Sequence, residues 1–255
     1  MLNRLRYGAP TKAHGLLIAH GLFGSARNWG AIATRLSDTR EVVSVDMRNH
    51  GESFWSDTHG YEELAADLAQ VIEAEGAPMD VLGHSMGGKA AMMLALSRPE
   101  LVRRLLVADI APVAYTHSQS HLIAAMRALP LTGLDSRTAA DAALSAQVED
   151  RGVRAFLLQS LDLRSDPPRW RLNLDVLDAE MTRITGWPEP SGRFEGPALF
   201  LSGAQSDYVR PEHRGLIRAL FSAAKFAKLP DAGHWLHAEA PRPFEATARM
   251  WFDAP

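Results

Sequence analysis

The sequence predicts an α/β protein with a mostly parallel sheet. Short apolar runs alternate with segments of helical periodicity up to residue 112 and again from 197 onward, and strands that alternate with helices require parallel pairing. Between Val113 and Arg193, helical stretches follow one another with no strand among them. We therefore predict a core domain formed by 1–112 and 194–255, with 113–193 as a helical insertion that caps the ligand edge of the sheet.

The strands are assigned from short runs bounded by glycine, proline or polar turns. The first, 2–7, alternates apolar and polar residues and ends at Gly8-Ala9-Pro10, which is typical of an edge strand. Most of the others are apolar runs of the kind buried in a parallel sheet. They are predicted at 15–19, 42–46, 79–82, 101–108, 197–202 and 225–229.

The helices are assigned from apolar residues at three- and four-residue spacing. Tyr61, Leu64 and Leu68 begin the clearest example, which stops before Gly76-Ala77-Pro78. The stretch 89–96 lacks proline and β-branched residues and is also predicted to be helical. Further helices are predicted at 29–36, 211–221 and 241–252, and within the insertion at 121–129, 137–147 and 152–161.

Composition excludes several classes of function. The net charge is −3 and the 27 lysines and arginines are scattered, so no nucleic-acid surface is expected. The absence of cysteine excludes disulfides, thiolate metal sites and a cysteine nucleophile. The N-terminal residues lack the apolar core of a signal peptide, and no apolar run has the length of a membrane span. We therefore predict a soluble cytoplasmic protein with no metal site.

The stretch from Gly83 to Gly87 predicts a nucleophilic serine. It reads Gly-His-Ser-Met-Gly and lies between a predicted strand and a predicted helix, which is the order of a nucleophile elbow. A serine on so sharp a turn needs small neighbours, and Gly83 and Gly87 supply them. Ser85 is therefore the candidate nucleophile.

Two further loops follow predicted strands and can contribute to the same site. A serine needs a base within hydrogen-bonding reach, and His234 is the candidate because it sits in a Gly-His loop after the last strand. The glycine-rich loop from His20 to Ser25 can direct a main-chain N–H toward a developing oxyanion. In the polar loop 46–53, Arg48, Asn49 and His50 are expected either to bond that first loop or to hold each other in place.

These motifs resemble the α/β-hydrolase-fold serine hydrolases over nearly the full chain. The amino-acid sequences of three segments are similar to those of a branch of small capped carboxylesterases and acyl-CoA thioesterases: His20–Ser25, Arg48–Gly51 and Gly233–Glu239. The resemblance implies ester or thioester hydrolysis without a cofactor. It also implies that the main-chain N–H groups of Leu22 and Met86 form an oxyanion hole. Phe23, next to Leu22, and Trp235, next to His234, are expected to bind the substrate.

Two aspartates compete for the acid of the triad. Asp207 follows the strand after the insertion, which is the usual position in the superfamily, but it stands one residue later after Gly203 than the common G-x-x-D spacing. Asp109 ends the strand after the elbow helix, 24 residues beyond Ser85 (109 − 85), and some branches use that position. Both aspartates are expected to reach His234, and the offset from Ser85 favours Asp109.

Hydrolysis of esters or thioesters with small to medium acyl chains, through an acyl-enzyme on Ser85, is the leading hypothesis. The same triad also serves cofactor-free haloperoxidase-like perhydrolases and C–C bond hydrolases, which are the enzymatic alternatives. A third hypothesis, from a different class of function, is a binding protein in which this fold holds a ligand without turnover. The expected partner in the leading hypothesis is a small-molecule ester or thioester.

Overall fold

A computed structural model describes residues 1–254, and its central feature is a seven-stranded sheet. The strand order is β1-β3-β2-β4-β5-β8-β9, in which β1 is antiparallel to β3 and every other pairing is parallel. The predicted α/β class with a mostly parallel sheet is confirmed. The strands are β1 Arg4–Tyr7, β2 Leu16–Ala19, β3 Val42–Val45, β4 Met79–His84, β5 Val102–Ala108, β8 Phe194–Gly203 and β9 Phe221–Leu229.

Helices cover both faces of the sheet because each buried strand is apolar on both sides. In β2, Leu16 and Ile18 belong to one core cluster, whereas Leu17 and Ala19 belong to the other, as the two-residue period of a strand requires. The first cluster includes residues of α1 Gly30–Leu36 and α11 Pro241–Phe252. The second includes residues of α2 Tyr61–Glu75 and α3 Met86–Ser97. Of the helices described in 1–254, none is long and apolar enough to cross a membrane.

The segment between β5 and β8 contributes no strand to the seven-stranded sheet. It contains five short α-helices and a two-stranded ribbon: α4 Ser120–Ala128, α5 Arg137–Leu144, α6 Arg151–Leu157, β6 Leu161–Asp162, β7 Arg169–Trp170, α7 Leu174–Ala179 and α8 Met181–Thr185. Its apolar residues join the core cluster of α2 and α3. An isolated bridge between Leu172 and His50 connects it to the loop after β3. The insertion is therefore packed on the loops that follow the strands.

Several boundaries differ from those predicted. The ribbon of β6 and β7 and the helices α7 and α8 were not predicted, because two-residue strands and five- or six-residue helices are too short to show a period. Strand β8 begins at Phe194, before the predicted start, and β9 begins at Phe221, a residue predicted to end a helix. Phe194 and Phe221 are paired in the sheet and buried. Burial of these two side chains therefore favours the earlier start of both strands. The remaining helices are α9 His213–Leu220 and α10 Leu236–Glu239.

Candidate active site

Ser85 lies on a tight turn between β4 and α3. Its backbone dihedrals are φ 53° and ψ −119°, a region that non-glycine residues rarely adopt. The positions on both sides of the turn have no room for a side chain. A Cβ on Gly83 would stand 2.3 Å from the carbonyl oxygen of Gly87. A Cβ on Gly87 would stand 2.4 Å from the carbonyl oxygen of Ala19. The two glycines therefore permit the turn that holds the serine at the end of the strand.

Ser85, His234 and Asp109 form a continuous chain of hydrogen bonds. Nε2 of His234 lies 3.1 Å from Oγ of Ser85, and Nδ1 lies 2.8 Å from Oδ2 of Asp109. The carboxylate of Asp109 is fully buried and also accepts from the main-chain N–H of Gly203 at 3.1 Å and from the hydroxyl of Ser206. An ionised carboxylate can only accept, so Nδ1 donates to Asp109 and Nε2 is free to accept from Ser85.

The structure brings only one of the two candidate aspartates to His234. Asp109 follows β5 directly, and β5 pairs with the strand that ends at the elbow, so its carboxylate lies beside the site. Asp207 lies four residues beyond the end of β8 and is exposed. Its main-chain carbonyl accepts from Nε of Arg210 at 3.1 Å, as is common for a residue in a turn.

Two residues of the hydrogen-bonded chain, Ser85 and Asp109, have a backbone conformation that non-glycine residues rarely adopt. Among residues 1–254, the non-glycine residues with positive φ include Phe23, Ser85 and Asp109, at 64°, 53° and 52°. Such conformations cost on the order of 1–3 kcal/mol each and persist where the surrounding structure enforces them. The three lie in the glycine-rich loop, at the elbow and at the end of β5, which are three of the places where the sequence predicted functional groups.

The loop that carries His234 is held from two sides. Nε2 of His84 donates to the main-chain carbonyl of His234 at 2.9 Å, although the two residues are 150 positions apart. The carboxylate of Glu239 accepts from the main-chain N–H groups of Gly233, at 2.6 Å, and Trp235, at 3.1 Å. From the sequence, His84 had no role beyond its place in the elbow. Its position next to Ser85 lets one short segment fix both the serine and the histidine loop.

Within residues 1–254, no acceptor occupies the main-chain N–H groups of Leu22 and Met86, the two groups expected to form an oxyanion hole. Met86 is the first residue of α3, so its N–H has no acceptor within the helix. In the glycine-rich loop, the N–H of Phe23 is taken by Nε2 of His50 at 3.2 Å, and that of Gly24 by the carbonyl of Gly21 at 3.0 Å. No hydrogen bond within the described residues uses the N–H of Leu22. The site thus has two unoccupied main-chain donors beside Ser85.

The loop after β3 supports the glycine-rich loop, as the sequence predicted for His50. His20 also belongs to this support: its Nδ1 donates to the carbonyl of Gly21 at 2.8 Å and its Nε2 accepts from the N–H of Met47 at 2.9 Å. Oδ1 of Asp46 accepts from the N–H of Ala26 at 2.7 Å. Burial lowers the pKa of both His20 and His50, which keeps them neutral and able to accept.

A cavity of about 470 Å³ opens beside Ser85 and His234. Both residues predicted to bind substrate line it: Phe23, which is buried, and Trp235, whose ring centroid lies 5.6 Å from that of Phe156 in α6. The other apolar side chains of the lining include Leu22, Met86, Ile110, Leu122, Val148, Val153 and Ile184. Within the described part of the chain, no group of three or more histidine or carboxylate side chains is placed to hold a metal ion.

Lys89 is a buried basic side chain for which the sequence predicted no role. It stands one helical turn after Ser85, lines the cavity and is 1% exposed. Its Nζ donates to the carbonyl oxygens of Thr185, at 3.0 Å, and Gly186, and lies 4.8 Å from the ring centroid of Tyr115. Burial lowers its pKa to about 7. The available signal was a single lysine in the otherwise apolar stretch 89–96, and its bonds connect the elbow helix to the insertion.

Comparison with known proteins gives one consistent assignment. The model of the Alpha/beta hydrolase family matches residues 16–249. The mouse (Mus musculus) protein named sn-1-specific diacylglycerol lipase ABHD11 is 41% identical over 239 residues, which are 90% of this chain and 78% of the mouse protein. Esterase YbfF of Escherichia coli K12 is 36% identical over 229 residues, 89% of this chain and 88% of that protein. A solved structure titled Marine microorganism esterase superposes with a TM-score of 0.93 at 34% identity, covering 98% of both chains. The chain belongs to the α/β hydrolase family.

Proposed function

We propose that this protein hydrolyses carboxylic esters through an acyl-enzyme on Ser85. In the first half of the reaction, Oγ of Ser85 attacks the acyl carbonyl while Nε2 of His234 takes the hydroxyl proton. The carbonyl oxygen becomes an oxyanion bound by the N–H groups of Leu22 and Met86. The C–O bond to the leaving group then breaks, and His234 returns its proton to the departing alkoxide, which leaves as the alcohol.

Hydrolysis of the acyl-enzyme repeats these steps with water. His234 takes a proton from the water as the water oxygen attacks the acyl carbon, and the oxyanion again occupies the two N–H groups. Collapse releases the carboxylic acid and returns the proton to Oγ of Ser85. Asp109 keeps its hydrogen bond to Nδ1 throughout, which holds the imidazole tautomer and stabilises the imidazolium.

The single observation that carries this proposal is the hydrogen-bonded chain of Ser85, His234 and Asp109. The two distances at His234, 3.1 Å to the serine and 2.8 Å to the aspartate, lie within the reach that nucleophile activation needs. The names of the relatives add support from outside the chain, since the mouse and Escherichia coli proteins are named as a lipase and an esterase. Neither name decides the acyl or leaving group here.

The cavity supports an apolar acyl chain of small to medium size. Most of the exposed surface of its lining is apolar, as expected for a site that binds by burying hydrocarbon. Two carboxylates, Glu149 and Asp150, also line it. Negative charge there disfavours a polyanionic leaving group such as coenzyme A. We therefore propose neutral oxygen esters as the preferred substrates, with acyl-CoA thioesters as the second class.

A substrate panel tests this proposal. p-Nitrophenyl esters and acyl-CoA thioesters of matched acyl length are compared by kcat/KM for the wild-type protein and for Ser85→Ala. We expect oxygen esters to be hydrolysed faster than acyl-CoA of the same chain, and Ser85→Ala to lose roughly a thousandfold or more. Hydrolysis of neither class, or retention of more than about a tenth of the rate in Ser85→Ala, would contradict the serine mechanism.

A further inference from the structure

The face of the His234 ring is covered by an aromatic side chain to which the mechanism above gives no role. Tyr208 lies in the segment between β8 and α9, and its ring is stacked on that of His234 with centroids 4.1 Å apart and planes inclined by 21°. The two nitrogens of the imidazole are engaged at its edge by Ser85 and Asp109. Tyr208 therefore contacts the base without competing for either hydrogen bond.

Three contacts hold the Tyr208 ring in this position. Its main-chain carbonyl accepts from the hydroxyl of Tyr115 at 2.8 Å, and its own hydroxyl is hydrogen-bonded to Nε2 of His117 at 2.7 Å. Its N–H donates to Oγ of Ser206 at 3.3 Å, and the same hydroxyl of Ser206 donates to Asp109. The stacked ring is thus tied to the acid as well as to the base of the triad.

We propose that Tyr208 is a positioning residue that favours the protonated state of His234 through the face of its ring and holds the imidazole plane between Ser85 and Asp109. This inference rests on the proposed function, in which His234 becomes an imidazolium at each transition state. The face of an aromatic ring carries negative potential, so a stacked cation is attracted to it more strongly than a neutral ring is. The stack with Tyr208 therefore stabilises His234 more strongly when His234 carries the proton of Ser85 than when it is neutral.

The other titratable groups around His234 do not supply the same effect. Asp109 bonds the edge of the imidazole, and His84, His117 and His237 would repel a protonated His234 only if they were themselves protonated. Burial lowers the pKa of all three, which keeps them neutral near pH 7. Burial raises the pKa of Tyr208, so its ring also stays neutral.

The test compares Tyr208→Leu with Tyr208→Phe. Leucine fills the space without a π face, whereas phenylalanine keeps the face and loses only the hydroxyl bond to His117. The pH profile of kcat/KM on a neutral ester gives the first readout, and NMR titration of the His234 imidazole in the resting enzyme gives the second. We expect Tyr208→Leu to lower kcat/KM by about 2- to 30-fold and to move the acidic limb down by about 0.4 to 1.5 pH units. In Tyr208→Phe, the acidic limb of the pH profile should stay at the wild-type pH.

A packing role alone would lower the rate without moving the acidic limb, so an unchanged or raised limb in Tyr208→Leu overturns the inference. Equal behaviour of Tyr208→Phe and Tyr208→Leu also overturns it, because the hydroxyl would then carry the effect. If Tyr208→Leu melts early, Tyr208→Met fills the same space with a flexible side chain and gives the same readout. The NMR titration needs no substrate, so it decides the inference even if the wild-type protein hydrolyses no ester.

Discussion

Asp109 and His234 meet at the carboxyl edge of the sheet, where Oδ2 of the aspartate lies 2.8 Å from Nδ1 of the histidine. The carboxylate is fully buried, whereas that of Asp207 is on the surface. We expect Asp109→Asn to lower kcat on the order of a thousandfold or more, because an amide in this place favours the wrong imidazole tautomer. Steady-state kinetics on a p-nitrophenyl ester measure this loss.

Asp207→Asn is the matched control for that experiment. It makes the same chemical change at the competing aspartate and should keep kcat within about threefold of wild type, as a surface substitution usually does. Both variants must give wild-type melting curves for the comparison to hold. The assignment of the acid would be withdrawn if Asp207→Asn lost activity while Asp109→Asn kept it.

A hydrogen bond between the insertion and the glycine-rich loop gives a second prediction. Oγ of Ser160, which is buried, donates to the carbonyl of Phe23 at 2.8 Å, and Phe23 is adjacent to the free N–H of Leu22. We expect Ser160→Ala to lower the free energy of unfolding by about 1 kcal/mol, because it leaves a buried carbonyl without its partner. It should also lower kcat by roughly two- to tenfold, since the loop then holds Leu22 less firmly.

Ser145→Ala serves as the control for this variant. Ser145 is an exposed serine of the same insertion, and its hydroxyl bonds only to the local carbonyl of Ala142 at 2.7 Å among the described residues. Urea unfolding and ester kinetics are measured on both variants. Indistinguishable stability and kcat in the two would mean that the bond to Phe23 does not position the loop.

The buried histidines predict a loss of stability in mild acid. Burial lowers the pKa of four buried histidines, His20, His50, His59 and His84, and of the half-buried His237. For His59 and His237 the pKa falls to about 3. In the unfolded chain a histidine takes up a proton near pH 6.5, whereas these stay neutral in the fold. The unfolded state therefore binds more protons below that pH, and stability falls as the pH decreases from about 6.5. Each histidine contributes at most about 1.4 kcal/mol per pH unit.

Urea unfolding at neutral pH and in mild acid measures this effect. His59→Gln should reduce the difference between the two conditions, because it removes one group that only the unfolded chain protonates. His14→Gln, at an exposed position, should leave the difference unchanged. A free energy of unfolding that stays constant or rises from neutral pH into mild acid would show that these histidines do not control the pH dependence.

A substitution in helix α6 is expected to change the preference for the length of the acyl chain. Val153 lines the cavity, so Val153→Phe should shorten the space for an acyl chain without touching the reacting carbonyl. We expect kcat/KM for the longest esters of a series from acetate to decanoate to fall about tenfold, with acetate hydrolysis within about threefold of wild type. Ala155→Phe, an exposed position on the same helix, is the control and should change neither value. A uniform loss of kcat/KM over all chain lengths would show that Val153 does not contact the acyl chain.

The sheet and the elbow could be predicted because their signals are local. Apolar runs, glycine positions and the spacing around Ser85 are all readable within a few residues, and the end of each parallel strand gives a place for His234 and for either aspartate. The choice between Asp109 and Asp207 required the structure, since both follow strands at the same edge. What decides it is that Asp109 follows the strand paired with β4 directly, with no intervening turn.

The contacts around the triad could not be predicted from the sequence because they join distant segments. The bond from His84 to the carbonyl of His234 connects residues 150 apart, and the bonds of Lys89 reach carbonyls 96 and 97 residues away. The stack of Tyr208 on His234 likewise depends on how two loops after neighbouring strands fold back on each other. No local pattern encodes these distances, whereas tertiary packing sets them all.

Covalent labelling tests the central claim most directly. The wild-type protein is treated with a fluorophosphonate probe, digested and examined by mass spectrometry, with Ser85→Ala and heat-unfolded wild type as controls. A serine activated by His234 reacts with the probe, whereas an ordinary hydroxyl does not. We predict one label on the peptide that carries Ser85 and none in either control. A label on another residue, or an active esterase that the probe does not modify at Ser85, would contradict the assignment of Ser85 as the nucleophile.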